Sequence, residues 1–171
     1  PKPDERPFLV CAGSSKKGMR FTSEEMDAIF LSGGDAEQLG VASRAAKDDA
    51  AELERTVRTY SMMTVAFGDT DAEAQKQAEH FREGLDEEAL WGMMRAYGFL
   101  DAEIGKENAF VAKARSTFMT PHVLGTPETV VDQLSELLEV SGIDGMMLIF
   151  DEASGIPDQI WSVGAGFFTE N

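Results

Sequence analysis

The sequence predicts an α/β protein with a parallel sheet. Three observations carry this. Short apolar runs alternate with longer amphipathic segments along the 171 residues. The last run, MMLIF at 146–150, is apolar at every position, as in a strand buried on both faces. Each segment between runs is long enough for a helical crossover, and four such strands imply right-handed β-α-β units.

Residues 8–11 read as the first strand and 16–25 as a helix. Residues 27–31 form a second short strand, closed by Ser32, Gly33 and Gly34. From 35 to 54 runs an alanine-rich helix with Leu39, Ala42, Ala46, Ala50 and Leu53 at helical spacing. Residues 59–67 are the third strand, ending at Gly68. Thr70 and Glu73 have the spacing of a capping box and open a helix through about Glu83. A further helix over 87–97 carries Leu90, Trp91, Met94 and Tyr97 on one side. Residues 98–125 show no period and read as a long loop or insertion.

The last unit is the clearest. Thr126 is an N-cap with Pro127 at the first helical position. Val130, Val131, Leu134, Leu137 and Leu138 make the apolar stripe, and Ser141 and Gly142 end it. Asp144 and Gly145 lead into the fourth strand. The whole of 1–171 reads as a single domain.

Acidic residues outnumber basic ones 31 to 15, for a formal net charge of −16. That balance argues against nucleic acid and anionic membrane surfaces as partners. Cys11 is the one cysteine, so no internal disulfide forms and nothing points to an oxidising compartment. His80 and His122 stand far apart with no ligand pattern around them, so no metal is expected. No apolar run approaches the ~20 residues of a membrane span. Residues 1–7 are polar and proline-rich, unlike a signal peptide, and a cytoplasmic location is expected. The chain starts without methionine, as a processed protein or an excerpt of a longer one would.

The loop after the first strand carries the candidate site. Ligands of parallel α/β proteins bind beyond the carboxyl ends of the strands. Gly13 lets backbone approach a ligand there, Ser14 and Ser15 offer hydroxyls, and Lys16 and Lys17 add positive charge. Unpaired amides and the dipole of a helix start suit a phosphate. The same serines would equally cap the helix with no ligand at all. The glycine-to-lysine spacing is not that of a P-loop.

The stretch FLVCAGSSKKGMRFT (8–22) resembles the bacterial-luciferase-like flavin monooxygenases. So do TYSMMTVAFGDTDAEA (59–74), EHFREGLDEEALW (79–91) and GIDGMMLIFD (142–151). Within that superfamily they look most like the Rut-pathway pyrimidine oxygenases. The likeness spans residues 7 to about 152. It implies a TIM (β/α)8 barrel that binds reduced FMN and uses O2, with a flavin reductase as partner. For pyrimidine oxygenases it implies opening of a uracil or thymine ring. The family's flavin-contacting serine falls on Ser15, with Gly13 and Ser14 in the same phosphate loop.

Members of that family are about twice this length, so the resemblance makes this chain the C-terminal half, about four β/α units. The other half would hold most flavin and pyrimidine contacts. A covering helix is expected after residue 152, yet 153–171 holds Gly155, Pro157, Gly164 and Gly166 and looks atypical. An open half-barrel would expose sheet edges and apolar interior residues, with Met62, Met63, Met146, Met147 and Phe150 lining or abutting the interior. Self-association, or pairing with the missing N-terminal half, is therefore expected. No general acid or base is assigned. His122, in the loop near the mouth, is a loose candidate against a solvated histidine, and Asp151 either faces the site or caps a turn. Three readings stay open: a pyrimidine oxygenase half, a luciferase-like monooxygenase of another substrate such as a sulfur compound or alkane, and a non-catalytic half-barrel.

Overall fold

The computed structural model describes residues 3–13, 15–32, 35–96, 98 and 122–150. The described elements are β1 (Val10–Cys11), α1 (Lys16–Glu25), β2 (Ala28–Leu31), α2 (Ala36–Ala51), β3 (Arg58–Phe67), α3 (Asp71–Glu83), α4 (Glu87–Ala96), β4 (His122–Gly125), α5 (Pro127–Ser141) and β5 (Gly145–Phe150). Every strand pairing among them is parallel. This is the predicted α/β class, built of the β/α units of a half barrel.

The sheet is organised around β3. Its ten residues outrun the four of β2. β2 pairs with the lower part of β3, from Ala28↔Arg58 to Leu31↔Ser61. β5 pairs from Tyr60↔Gly145 to Val65↔Phe150. β4 pairs with the upper part, from Thr64↔His122 to Phe67↔Gly125. A strand has two edges, and β5 overlaps both other partners, so β2 and β4 share the opposite edge.

Five described strands stand where four were expected. The addition is β4, at the end of the 98–125 stretch read as irregular. Four residues beginning with a histidine carry no strand period of their own. The pairing comes from the long upper edge of β3, which β2 is too short to fill. Tyr97 and residues 99–121, Asp151 and the 153–171 tail lie outside the described residues. The α2 helix ends at Ala51, ahead of the expected 54, in a turn where Glu54 adopts φ 55°.

One sheet face packs against helices. Its core joins Ile29, Leu31, Met63, Val65 and Val123 to Leu39, Ala46 and Ala50 of α2 and Val130 and Leu134 of α5. Paired residues of a parallel ladder share a face and successive residues alternate. The register therefore places Phe30, Tyr60, Met62, Thr64, Met147 and Ile149 on the opposite face. The five residues expected to line or abut the interior divide by this parity. Met62 and Met147 lie side by side on the open face, 37% and 42% exposed, whereas Met63 is fully buried on the helix side. Met146 and Phe150 also pack toward the helix-side core, and the Phe150 ring stacks on Phe67 at 6.3 Å. Adjacent methionines look alike in composition; the pleat separates them.

The amino ends of the strands are pinned by aspartates. Asp144, just before β5, accepts from the Thr59 N–H at 2.8 Å and the Thr59 hydroxyl at 2.9 Å. Lys47 Nζ stands 2.9 Å from the same oxygen. Thr59 Oγ1 also lies 2.9 Å from the buried Ser43 hydroxyl, which ties α2 to the junction. Asp27, just before β2, accepts from the Leu9 N–H at 2.8 Å and from Arg6 at 2.6 Å. Partial burial pushes the Asp144 carboxyl up, but the Thr59 N–H, Lys47 and the Thr59 hydroxyl outweigh it and hold it below the ordinary aspartate value.

A depressed carboxylate contributes stability above its unfolded pKa and loses it as pH falls through the lower folded value. Denaturant midpoints should therefore drop as pH falls below about 4, and Asp144→Asn should flatten that acid slope; an unchanged slope would contradict the assigned hydrogen bonds. Met63→Ala should cost about 2–5 kcal/mol, and Met62→Ala much less, in urea unfolding. Equal costs would contradict the register.

Candidate functional site

Because the described strands run parallel, their carboxyl ends share one rim, and the helices that follow them start there. Four of those helices carry an oxygen cap. Ser15 Oγ accepts from Gly18 N–H at 3.1 Å at the start of α1. Asp35 Oδ1 accepts from Gln38 N–H at 2.8 Å at α2. Thr70 Oγ1 accepts from Glu73 N–H at 3.2 Å at α3, and Thr126 Oγ1 from Thr129 N–H at 3.3 Å at α5. Each cap satisfies one of the orphan amides of a first turn, and the remaining amides keep the partial positive charge of the helix end.

The α1 terminus differs in charge from the others. Glu37 lies in the first turn of α2, Asp71 and Glu73 in that of α3, and Glu128 in that of α5. The first turn of α1 has no acidic residue and begins with exposed Lys16 and Lys17. In a chain of net charge −16, an anion at this rim is favoured most at α1.

The turn before α1 is built by two glycines in contact. A Cβ on Gly18 would stand 3.0 Å from Gly13 Cα, and one on Gly13 would stand 3.1 Å from Gly18 Cα. The sequence suggested that Gly13 opens the backbone to a ligand. In the structure it lies against Gly18, at the start of its own helix. The contact brings the loop against the first turn of α1, with no room for a side chain at either glycine. Ser15 spends an oxygen lone pair on Gly18 N–H, while its hydroxyl proton remains available to donate. Ser14, the third predicted site residue, lies outside the described residues.

A second junction on the rim was not read from the sequence. The β3–α3 and β4–α5 loops are joined by Gly68 N–H donating to Gly125 O at 3.2 Å. Thr126 N–H donates to Asp71 Oδ1 at 2.9 Å. That backbone donor, with the Thr129 hydroxyl, holds the Asp71 carboxyl below its ordinary value. Gly125 has φ 150°, and a Cβ there would stand 2.6 Å from Asp71 Oδ1. The available signal was a glycine directly before a Thr-Pro helix start, which marks a close approach.

The two histidines separate. His80 is exposed on α3. His122, expected in a loop, is the first residue of β4, half-buried and paired with Thr64. Asp151 lies outside the described residues. Among the described residues no group of three or more His, Cys, Asp or Glu could hold a metal ion. No described helix is long and apolar enough to cross a membrane.

A parallel β/α sheet with an anion-compatible helix start on its carboxyl rim defines a class of ligand-binding α/β proteins. The sequence profile of the luciferase-like monooxygenase family matches residues 1–145, and the chain belongs to that family. It is 28% identical over 167 residues to the pyrimidine monooxygenase RutA of Acinetobacter baylyi, covering 92% of this chain and 45% of that protein. It is 32% identical over 164 residues to RutA of Variovorax paradoxus, covering 89% and 43%. The chain thus spans a little under half the length of these curated relatives. Among solved structures, a riboflavin lyase (RcaE) with modified FMN and riboflavin superposes with a TM-score of 0.73 at 20% identity, over 92% of this chain and 41% of that one. The long-chain alkane monooxygenase LadA superposes with a TM-score of 0.70 at 22% identity, over 92% and 39%. At these identities the likeness is one of fold.

Proposed function

We propose that this chain is the C-terminal, phosphate-holding half of an FMN-dependent monooxygenase that acts on a pyrimidine ring. The observation that carries the reading is the α1 terminus: a hydroxyl-capped, lysine-bearing helix start free of carboxylates, on the rim of a parallel sheet. The pyrimidine monooxygenases among its relatives supply the substrate class.

The residues present fit the phosphate end of FMN. Ser15 would donate its hydroxyl proton, the first α1 amides would donate along the helix axis, and Lys16 and Lys17 would neutralise charge. Gly13 packs against Gly18 beside that helix start, and Ser14 belongs to the same loop by resemblance. When bound, reduced FMN supplies the electrons that let O2 react with an organic substrate, a chemistry that resides in the cofactor. The chain's own part is to hold the phosphate, orient what is attached to it and shield the site from water. The working enzyme needs a flavin reductase and the complementary N-terminal half, in the cytoplasm.

Aspartate caps a helix about as well as serine but carries a charge that repels phosphate. Ser15→Asp should therefore leave the melting temperature nearly unchanged and weaken FMN binding at least ~10-fold, while riboflavin, which lacks the phosphate, binds both forms alike. Fluorescence titrations of the chain, alone and mixed with an N-terminal half, make the comparison. Equal FMN affinity of the two forms would remove the phosphate assignment. Absence of FMN binding in both settings would leave the non-catalytic half-barrel in its place. Uracil turnover with an added flavin reductase distinguishes a pyrimidine substrate from the others of the family.

A further inference from the structure

The last strand is bare where its sequence calls for cover. After Gly145 every residue of β5 is large and apolar, yet Met147, Leu148 and Ile149 are 42%, 36% and 40% exposed, on alternating faces of the sheet. Among the described strands β5 pairs along one edge only, with β3. At the other end of the sheet β1 likewise pairs along one edge, with β2, and its Val10 is 44% exposed. Two free edges of the same strand direction thus bound the sheet, each beside exposed apolar side chains.

Between those edges β1, β2, β3 and β5 lie side by side, four parallel strands. Eight such strands close into a barrel whose interior is just wide enough for side chains to fill. The open face supplies Phe30, Tyr60, Met62, Met147 and Ile149 as filling, and no described strand residue on it is a carboxylate. Two chains of net charge −16 can bring these faces together with their described acidic residues left outside.

We propose that a second copy of this chain closes the sheet, β5 of each copy pairing with β1 of the other about a two-fold axis that runs along the barrel. Barrel geometry sets the register of that pairing. Within one chain Cys11 is level with Ile29, Ile29 with Thr59, and Thr59 with Asp144, one residue before the Tyr60↔Gly145 pair. A closed eight-stranded parallel barrel comes back to its starting strand about eight residues lower, so two-fold symmetry lowers each junction by about four. Leu148 of one copy then stands beside Cys11 of the other, and Met147 beside Val10. Four is even, so the faces agree: Met147 and Val10 both lie on the open face, Leu148 and Cys11 both on the helix side. The junction covers the residues that each chain leaves exposed at its own edges. It also sets both α1 starts on one rim, across the barrel mouth from each other. The closure stands on the sheet alone and goes beyond the flavin reading.

Leu148→Cys tests the pairing directly, because Cys11 is the only thiol of the chain. Neighbouring parallel strands stand about 4.8 Å apart, within disulfide reach. Inside one chain Cys11 and position 148 are three strand spacings apart, about 14 Å, which is beyond it. Sedimentation equilibrium of the unmodified chain at micromolar concentration should read twice the chain mass. Mild oxidation of Leu148→Cys should yield a covalent dimer joined, by peptide mapping, through Cys11 and the new thiol. The Cys11→Ser, Leu148→Cys double variant should give none, since the two 148 positions lie on opposite sides of the barrel. Ile149→Cys, one residue on and facing the other way, should lose the crosslink. A monomer in sedimentation overturns the proposal and leaves the open face to the N-terminal half. A dimer whose Leu148→Cys form stays reduced, or crosslinks equally well from position 149, overturns it by placing the contact on another surface. No ligand enters the experiment, so either failure leaves the flavin reading standing.

Discussion

The hydrogen bond from Thr59 N–H to Asp144 sets the frame on which the rest depends. It fixes where β5 begins against β3, one residue before the first ladder pair at Tyr60↔Gly145. A slip of one residue would exchange the two faces of β5, turning Met147 and Ile149 toward the helix side and Leu148 away from it. The same aspartate reaches Lys47, and through Thr59 it is linked to Ser43, so the strand register and the seating of α2 are set at a single junction. With β3 placed, β2 and β5 follow at its amino end and β4 at its upper edge. The proposed site sits at the far end of the same strands, the division of labour expected of parallel β/α proteins: packing and register at the amino ends, ligands at the carboxyl ends.

Charge completes the argument. A chain of net charge −16 repels anions over most of its surface. Four capped helix starts at one rim offset that repulsion locally, but three of them place carboxylates in the first turn. Those carboxylates stabilise their own helices and occupy the favourable field of the dipole. The α1 helix forgoes that stabilisation and carries two lysines instead. A helix that served only packing would gain from an acidic residue near its start, and its absence at α1 supports the proposed anion site.

Much of this was legible in the sequence because local chemistry determined it. The Thr126-Pro127 start and the Gly142 stop bracket α5 as the structure has it, and Thr70 caps α3 as its spacing implies. The apolar run ending at Phe150 announced a parallel strand. What escaped was long-range. β4 has no period of its own and exists because β3 is longer than β2, a fact of pairing rather than propensity. The division of Met62 from Met63 needed the pleat. The Gly13–Gly18 contact and the Asp71–Thr126 link join segments whose proximity the chain order does not state. His122 could not be placed opposite Thr64 until β4 was known.

The central claim is that the α1 start is the anion site of the rim. Backbone 1H–15N spectra recorded during addition of FMN test it residue by residue. The account predicts that the amides of Lys16 and Lys17 shift first and furthest, with those at the starts of α2, α3 and α5 following weakly or not at all. Saturating shifts centred on another helix start, or on the Thr59–Asp144 end of the sheet, would contradict it.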